Sequence, residues 1–232
     1  MSKRNKLQKF AEILGYSNVI ENFDPTIPKL IGENGQEVER KGKWRSTQFG
    51  NTAPLTLELA CGRGEYSLGL ARRYAERNFI GVDIKGARIW KGATIARNEG
   101  LDNVAFLRTR IECITNFFDE GEVDDIWVTF PDPFPAKPNR RLTGPVFLDR
   151  YRKILKKDGL LHFKTDATDL FEYSVEIMEA DPQVDILYIN RDIYSGPLYL
   201  PELEIKTYYE HMHLAKGKTI KYLQCRIHGV RG

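Results

Sequence analysis

The chain has 232 residues, of which 41% are hydrophobic and 29% charged, and its formal net charge is +3 at pH 7, values typical of a globular protein with one large α/β core. No apolar run is long enough to span a bilayer, and the first ten residues, MSKRNKLQKF, lack the apolar stretch of a secretory signal. We therefore expect a cytoplasmic protein without a membrane partner.

The first fifty residues mix charged residues, Pro and Gly without sustained periodicity. The apolar residues between Leu7 and Leu14 have helical spacing, which predicts one short amphipathic helix. We predict that residues 1–50 form a short basic N-terminal arm or cap and that residues 51–232 form the main domain.

From residue 55 onward, apolar runs of strand length alternate with segments of helical spacing. The predicted strands in this part are 55–61, 79–84, 104–110, 125–130 and 160–165. The predicted helices are 65–77, 86–98 and 111–118, one that ends at Asp158-Gly159, and one that includes 170–178. Two longer predicted strands without a helix between them complete the chain: 184–194 and 219–227.

Alternation of this kind predicts a mostly parallel sheet with helices on both faces. The closing pair of strands predicts an antiparallel addition at one edge. The predicted fold is therefore α/β, a Rossmann-like, doubly wound, mostly parallel sheet of seven strands with an antiparallel last strand. His211 and His213 alternate as strand residues do, and we assign them no chemistry.

A glycine-containing turn, ELACGRGE from Glu58 to Glu65, follows the first predicted strand. Gly62 and Gly64 let the backbone pass close to a ligand, where a side chain would intrude. Nineteen residues past Gly64 the second strand ends at Asp83, whose carboxylate can accept bonds from both hydroxyl groups of a ribose. The two features predict a site for an adenosine-containing cofactor.

The turn departs from the patterns that bind dinucleotides and nucleoside triphosphates. Ser67 stands where a dinucleotide fingerprint has its third glycine, and no Walker glycine loop precedes a Gly-Lys-Ser or Gly-Lys-Thr sequence. Glu58 would repel a pyrophosphate, but it suits a ligand that carries a sulfonium and an ammonium group. In these residues the sequence resembles the S-adenosylmethionine-dependent methyltransferases.

A second candidate site is the segment Phe130-Pro131-Asp132-Pro133, at the end of a predicted strand. Each proline fixes its own φ and favours an extended conformation of the residue before it, so Asp132 has two stiff neighbours. The basic residues Lys137, Arg140 and Arg141 follow closely. The structural alternative is a proline-rich turn in which Asp132 only caps the next element.

Basic residues are concentrated in five groups of the sequence: 3–9, 40–45, 137–141, 150–157 and 216–221. Such groups can neutralise backbone phosphates, and they favour an anionic partner such as a nucleic acid. Cys61, Cys113 and Cys225 are far apart and match no spacing of metal ligands, so we expect reduced, mostly buried thiols and no metal site.

The ordered set of motifs resembles the tRNA guanine-N7 methyltransferases. The set consists of the glycine turn, the acid that ends the second strand, FPDPFPAKPNRR, LKKDGLLHFKTD and IKTYYEHMHLAKGKTIKYLQCRI. The similarity covers residues 55–227. It implies an enzyme that uses S-adenosylmethionine to methylate N7 of a variable-loop guanine in tRNA, position 46 in tRNA numbering.

The resemblance also implies roles for individual residues. Asp132 is the expected catalytic carboxylate, and it is expected to contact the cofactor together with residues of the first two strands and turns: Glu58, Gly62, Gly64 and Asp83. The residues expected to contact the target nucleotide are Asp166, Thr207, Tyr208, Tyr209 and Glu210. The basic loop completes the expected substrate site with Lys137, Arg140 and Arg141.

Two positions depart from the family pattern. After the third strand the family usually has Asn or Asp, which can accept a bond from the adenine amino group, whereas this chain has Arg110. A cation cannot accept that bond. The expected cofactor site includes Arg110 and Ile111, and the backbone of Ile111 is one substitute for the missing acceptor. The family also tends to carry Lys four residues beyond the catalytic Asp, where this chain has Ala136, and we assign that role to Lys137.

Two other functions are open. The first is methylation of a protein or a small molecule by the same fold, which would retain Glu58 and Asp83 but gives no reason for basic residues after Asp132. The second is RNA binding without catalysis, which is favoured by Arg110 at the adenine position.

Overall fold

A computed structural model describes residues 5–229, with the side chain of Lys6 excluded. These residues form two compact units, and the boundary between the units lies between Asp119 and Glu120. Within residues 5–229, no helix is long and apolar enough to cross a membrane. The separation of an arm, residues 1–50, from a main domain stays a prediction.

The first unit contains a mostly parallel sheet. Its strands are β1 (Val19–Glu21), β2 (Leu30–Ile31), β3 (Glu37–Val38), β4 (Leu55–Leu59), β5 (Asn78–Asp83) and β6 (Val104–Arg108). Its α-helices are α1 (Lys6–Ile13), α2 (Glu65–Arg73) and α3 (Gly86–Glu99). In space the strands follow the order β3, β2, β1, β6, β5 and β4, in which β1, β6, β5 and β4 are parallel and the outer two pairings are antiparallel.

The central strands of this unit are buried along their whole length. Every residue of β4 and β5 is buried, including the polar residues Glu58 and Asp83. Strands covered on both faces are expected to be apolar throughout, so buried carboxylates at the ends of β4 and β5 indicate a function beyond packing.

The segment before β4 belongs to the first unit. The helix predicted between Leu7 and Leu14 is α1, and β1 extends the sheet by pairing with β6, with Val19 opposite Phe106. The fully buried indole of Trp44 donates a hydrogen bond from Nε1 to the carbonyl oxygen of Phe117, at 2.7 Å. The three short strands β1, β2 and β3 were not predicted, because runs of two or three residues show no periodicity.

The second unit contains the remaining predicted strands and helices, together with one further helix that the sequence pattern did not predict. Its strands are β7 (Val123–Thr129), β8 (Leu155–Thr165), β9 (Val184–Asn190) and β10 (Lys221–Ile227). Its α-helices are α4 (Pro145–Ile154), α5 (Thr168–Glu179) and α6 (Tyr208–Leu214).

The last strand is antiparallel, as predicted. Within the second unit the strands follow the order β7, β8, β10 and β9. β7 and β8 are parallel, whereas β10 runs antiparallel to both β8 and β9. The segments predicted as seven strands correspond to β4 to β10, which confirms the alternating, mostly parallel α/β architecture.

The largest difference from the predicted boundaries of the second unit lies at the junction of α4 and β8. The helix α4 ends at Ile154, and β8 begins at Leu155, so Asp158-Gly159 lies inside a strand and does not end a helix. A Cβ atom on Gly159 would lie 3.0 Å from the carbonyl oxygen of Asp124. Glycine therefore permits the close approach of β8 to β7 at this point.

His211 and His213 lie in α6, so the strand-like alternation of these residues was misleading. The cause is a local hydrogen bond, because the Oγ1 atom of Thr207 accepts from the backbone N–H of Glu210 at 3.1 Å and caps the helix. The sequence Thr-x-x-Glu is a known signature of a helix start.

Candidate functional site

The turn between β4 and α2 is built from left-handed residues. Ala60, Gly62 and Gly64 have φ values of 58°, 58° and 70°. Glycine adopts this conformation readily, whereas at Ala60 it stores strain of roughly 1–3 kcal/mol, a feature that is concentrated at ligand sites. Apart from its two chain neighbours, a Cβ atom on Gly62 would meet no atom of residues 5–229 within 4 Å. The backbone at Gly62 is therefore open on the side where a ligand can approach.

Asp83 holds this turn in place. Its Oδ2 atom accepts from the backbone N–H of Gly62 at 2.9 Å, and its Oδ1 atom accepts from the N–H of Lys85 at 2.7 Å. The residue is only 7% exposed. A carboxylate has about four acceptor positions, so Asp83 retains acceptor capacity for the hydroxyl groups of a ribose.

Glu58 performs a task that the sequence did not reveal. Its Oε2 atom accepts from both the backbone N–H of Ser67, at 2.8 Å, and the Ser67 hydroxyl, at 2.5 Å. Ser67 is in the first turn of α2, and the residue that caps this helix, Gly64, has no side chain. Glu58 therefore satisfies a backbone donor at the start of α2, from a distance of nine residues along the chain.

The serine at position 67 was the signal for this contact. By its sequence pattern, Ser67 only replaces the third glycine of a dinucleotide fingerprint. In the structure its hydroxyl and backbone N–H groups are the donors to Glu58. Burial raises the pKa of the adjacent Cys61 thiol well above the usual value, and the charges of Glu58 and Asp83 raise it further, which disfavours the thiolate.

The ring of Phe106 on β6 fixes the glycine turn against the sheet and α3. Cβ atoms on Gly81 and Gly92 would lie 2.9 and 2.8 Å from this ring, and a Cβ atom on Gly64 would lie 2.8 Å from its Cζ atom. These contacts leave no room for a methyl group at any of the three positions.

Replacing Gly64 with Ala is therefore expected to lower the free energy of unfolding by about 2–5 kcal/mol, since a left-handed Ala is strained and its methyl group overlaps Phe106. Gly100 has φ 66°, and no atom of the described chain beyond its neighbours would lie within 4 Å of a Cβ atom there, so it provides a matched control. The Gly100→Ala change should lower stability by only about 1–2 kcal/mol in urea unfolding. Equal stability of the two variants would contradict the role of Phe106.

Arg110 and Ile111, the residues predicted to lie beside the adenine, follow β6. Arg110 is exposed and Ile111 is half-buried, and Ile111 begins a short 3₁₀ turn that ends at Asn116. Within residues 5–229, the side chain of Arg110 makes no hydrogen bond or ion pair. The preceding residue, Thr109, donates from its backbone N–H to the carbonyl oxygen of Asp83 at 3.2 Å, which links this segment to the end of β5.

In the second unit, Asp132 lies on a bent and strained segment. Phe130 and Phe134 have φ values of 48° and 41°, which are rare for bulky residues. The extended conformation expected before Pro131 and Pro135 is therefore wrong at both positions. The backbone N–H of Phe130 still donates to the carbonyl oxygen of Lys164 at 2.8 Å, so the chain bends while it remains bonded to β8.

The carboxylate of Asp132 is exposed, and within the described part of the chain it has no hydrogen bond or ion pair. An aspartate that only capped the next element would accept a backbone N–H bond there. The capping alternative therefore has no support from the geometry. The strained segment instead presents an acceptor to solvent or to a ligand.

The basic loop after Asp132 contains one residue that supports the loop itself. The guanidinium of Arg141 donates from Nε to the carbonyl oxygen of Pro133 at 3.2 Å and lies 4.2 Å from the ring centroid of Tyr173. These contacts indicate that Arg141 stabilises the proline segment. Lys137 and Arg140 are exposed, and Arg140 lies 5.8 Å from the ring of Phe134.

Asp166 follows β8 and is already paired with a cation. Its Oδ2 atom accepts from Lys218 Nζ at 2.5 Å and lies 3.2 Å from His213 Nδ1. The ring of His213 in turn stacks with that of Phe130, with 6.2 Å between the centroids. A nucleotide contact by Asp166 is therefore expected to compete with the Lys218 ion pair.

Four of the predicted substrate residues lie at the start of α6 and have two different environments. Thr207 and Glu210 are buried, whereas Tyr208 and Tyr209 are 47% and 37% exposed, respectively. The two tyrosine rings meet edge to face, with 5.7 Å between their centroids. Only the tyrosine side chains of this segment are therefore open to a large ligand.

The carboxylate of Glu210 is engaged inside the second unit. Its Oε2 atom accepts from Lys164 Nζ at 2.9 Å, and its Oε1 atom lies 2.8 Å from the same nitrogen and accepts from the Tyr194 hydroxyl at 2.6 Å. Burial lowers the pKa of Lys164, and the Glu210 charge opposes that shift. Burial raises the pKa of Tyr194, and the bond to Glu210 raises it further, so the phenol remains a donor.

The remaining candidates have structural roles or none. His162 is buried and stacks on Trp127 at 4.0 Å between centroids, a contact of the protein interior. The three cysteines are free thiols, and Cys61 and Cys225 are buried. In the part of the chain that the structure describes, no group of three His, Cys, Asp or Glu residues is placed to hold a metal ion.

Comparison with known proteins identifies close relatives over nearly the whole chain. The tRNA (guanine-N(7)-)-methyltransferase of Bacteroides thetaiotaomicron is 46% identical over 97% of this chain and 86% of that protein. The protein of the same name from Christiangramia forsetii is 44% identical over 98% of this chain and 100% of that protein. The profile of a family described as "Putative methyltransferase" matches residues 52–223.

A solved structure supports the fold. The crystal structure of the 16S rRNA methyltransferase KamB has a TM-score of 0.64 and 13% sequence identity, and the match covers 83% of this chain and 96% of that one. At this identity the likeness shows the Rossmann-like methyltransferase fold alone.

Proposed function

The chain belongs to the tRNA (guanine-N(7)-)-methyltransferase family, and we propose that it transfers the methyl group of S-adenosylmethionine to N7 of a guanine in the variable loop of tRNA, position 46 in tRNA numbering. The observation that carries this proposal is the exposed carboxylate of Asp132, which has no partner within residues 5–229 and lies on a strained, proline-flanked segment. The reaction is expected in the cytoplasm, where tRNA is available.

The residues of the first unit fit S-adenosylmethionine, which supplies an electrophilic methyl group on a sulfonium. Asp83 is buried, is fixed by two backbone N–H groups and retains acceptor capacity for ribose hydroxyls. The open side of Gly62 gives a ligand room beside the turn. Glu58 would contribute its negative charge and would hold α2, while Gly64 shapes the turn against Phe106.

The adenine is expected near Ile111, whose backbone would provide the contact that Asn or Asp provides in other members of the family. The exposed side chain of Arg110 is free to turn away from the base or to lie along it. Neither residue accepts a bond from the adenine amino group by its side chain.

The chemistry requires little from the protein beyond alignment and charge stabilisation. Guanine N7 has an in-plane lone pair outside the aromatic sextet, so no proton has to leave it before methyl transfer. A positive charge then develops on the purine, and a fixed carboxylate stabilises it. Asp132 would accept hydrogen bonds from N1–H and the exocyclic amine of a guanine turned out of its stack.

The substrate contacts would be divided by chemistry. Lys137 and Arg140 are exposed cations that would contact backbone phosphates, and Arg141 would act by holding the loop that carries them. The exposed rings of Tyr208 and Tyr209 would stack on unpaired bases. Asp166 would bind the nucleotide in exchange for Lys218.

The proposal is tested by methyl transfer from labelled S-adenosylmethionine to bulk tRNA or to a protein extract. Incorporation into tRNA alone is the expected result, and incorporation into protein alone would favour the rival methyltransferase function. Equilibrium binding of S-adenosylhomocysteine to the purified protein tests the second rival. Undetectable binding at millimolar ligand would favour RNA binding without catalysis.

A further inference from the structure

We propose that Lys164, Tyr194 and Glu210, here named the α6 anchor, position the first turn of α6 so that Tyr208 forms a stacking surface for an unpaired nucleotide of the RNA substrate. This inference rests on the proposed function for the identity of the RNA. It assigns Glu210 to positioning and gives the same role to Lys164, which lies within the LKKDGLLHFKTD segment, and to Tyr194, which lies outside the quoted motifs.

The α6 anchor joins three segments of the second unit. Lys164, near the end of β8, donates to Glu210 on α6 and to the carbonyl oxygens of Leu203 and Ile205, at 3.1 and 3.2 Å. The three protons of the ammonium group thus match acceptors on the helix and on the segment that leads into it. Tyr194 adds a donor from the chain that follows β9.

Direct recognition of a nucleotide by Glu210 conflicts with this geometry. The side chains of Lys164 and Glu210 both have 0% exposure. To accept a bond from a base, Glu210 would have to leave the buried ammonium group of Lys164 without its counter-charge, which is strongly unfavourable. Its contribution to substrate binding therefore has to pass through the position of α6.

Stability alone does not require a buried ion pair at this point. Replacing such a pair with apolar residues of similar volume is often neutral or stabilising, because desolvation offsets most of the attraction. What the pair and its hydrogen bonds do fix is the direction of the first turn of α6, in addition to the cap from Thr207. The direction of this turn matters because the turn carries the exposed rings of Tyr208 and Tyr209.

The exposed face of this turn has the composition of a single-strand RNA contact. Tyr208 and Tyr209 are large exposed aromatic residues, and Lys206, directly before the helix cap, is an exposed cation. Aromatic rings beside cations bind unpaired bases by stacking, with little dependence on sequence.

The test is a double-variant cycle on tRNA binding. Tyr194→Phe removes one donor to Glu210 without leaving a charge unpaired, and Lys164→Met combined with Glu210→Gln removes the ion pair at similar volume. Each is expected to weaken tRNA binding about tenfold, with unchanged affinity for S-adenosylhomocysteine. Tyr188→Phe, at a half-buried tyrosine of β9 whose hydroxyl meets Asn190, is the matched control and should bind as the unchanged protein does.

The cycle is completed with Tyr208→Ala. If the α6 anchor acts through this ring, Tyr194→Phe has no further effect on tRNA binding in the Tyr208→Ala background. Additive effects, a normal tRNA affinity of Tyr194→Phe, or a parallel loss of S-adenosylhomocysteine affinity would overturn the inference. Methylation by the unchanged protein is measured separately, so an active enzyme with an additive cycle refutes the anchor alone. An inactive enzyme with a non-additive cycle refutes the proposed function alone.

Discussion

The Asp132→Asn variant is expected to methylate tRNA about 10²- to 10⁴-fold more slowly than the unchanged protein, while its affinity for S-adenosylhomocysteine stays within about twofold. An amide cannot accept bonds from both N1–H and the exocyclic amine of guanine at one edge, and it has no negative charge to stabilise the methylated purine. Single-turnover kinetics with saturating tRNA measure this step directly.

The control for this variant is Asp169→Asn, which changes an exposed carboxylate of the same unit at the start of α5. Its turnover should match that of the unchanged protein. Normal turnover of Asp132→Asn would remove Asp132 from the catalytic role, whereas a loss confined to tRNA affinity would assign it to binding alone.

The second large effect is expected at Asp83. The side chain of asparagine has one acceptor oxygen and one NH₂ group. In the Asp83→Asn variant the NH₂ group therefore faces the backbone N–H of either Gly62 or Lys85, and one of the two hydrogen bonds is lost. Affinity for S-adenosylhomocysteine should fall about 10- to 100-fold, because a charge-assisted bond to the ribose is lost and the glycine turn loses its fixed position. Isothermal titration calorimetry measures the change.

Asp102→Asn provides the matched control in the same unit, since Asp102 is exposed and has no partner in the described part of the chain. It should bind S-adenosylhomocysteine with normal affinity. An unchanged affinity of Asp83→Asn would show that the ribose is held elsewhere.

The features that the sequence predicted well depend on contacts close in the chain. The strands β4, β5 and β6 are short and mostly apolar, and α3 ends where Gly100 adopts φ 66° as a helix terminator. The positions of Asp83 at the end of β5 and of the glycine turn between β4 and α2 follow in the same way from the regular spacing of strand, turn and helix, whereas their roles in cofactor binding stay predictions.

The features that were missed depend on partners distant in the sequence. Lys164 and Glu210 are 46 residues apart, so neither the ion pair nor the burial of Glu210 could be inferred from local patterns. The Thr-x-x-Glu sequence has two meanings, a motif of the family and a helix start, and the structure shows the second one directly at Thr207. The left-handed Phe130 opposes the usual preference before proline, and its bond to Lys164 is again long-range.

The central claim is tested most directly by mapping N7-methylguanosine in unmodified tRNA after incubation with the purified protein and S-adenosylmethionine. The account predicts a single new N7-methylguanosine in the variable loop, formed by the unchanged protein and nearly absent with Asp132→Asn. Methylation at another atom or outside the variable loop, or equal methylation by Asp132→Asn, would contradict it.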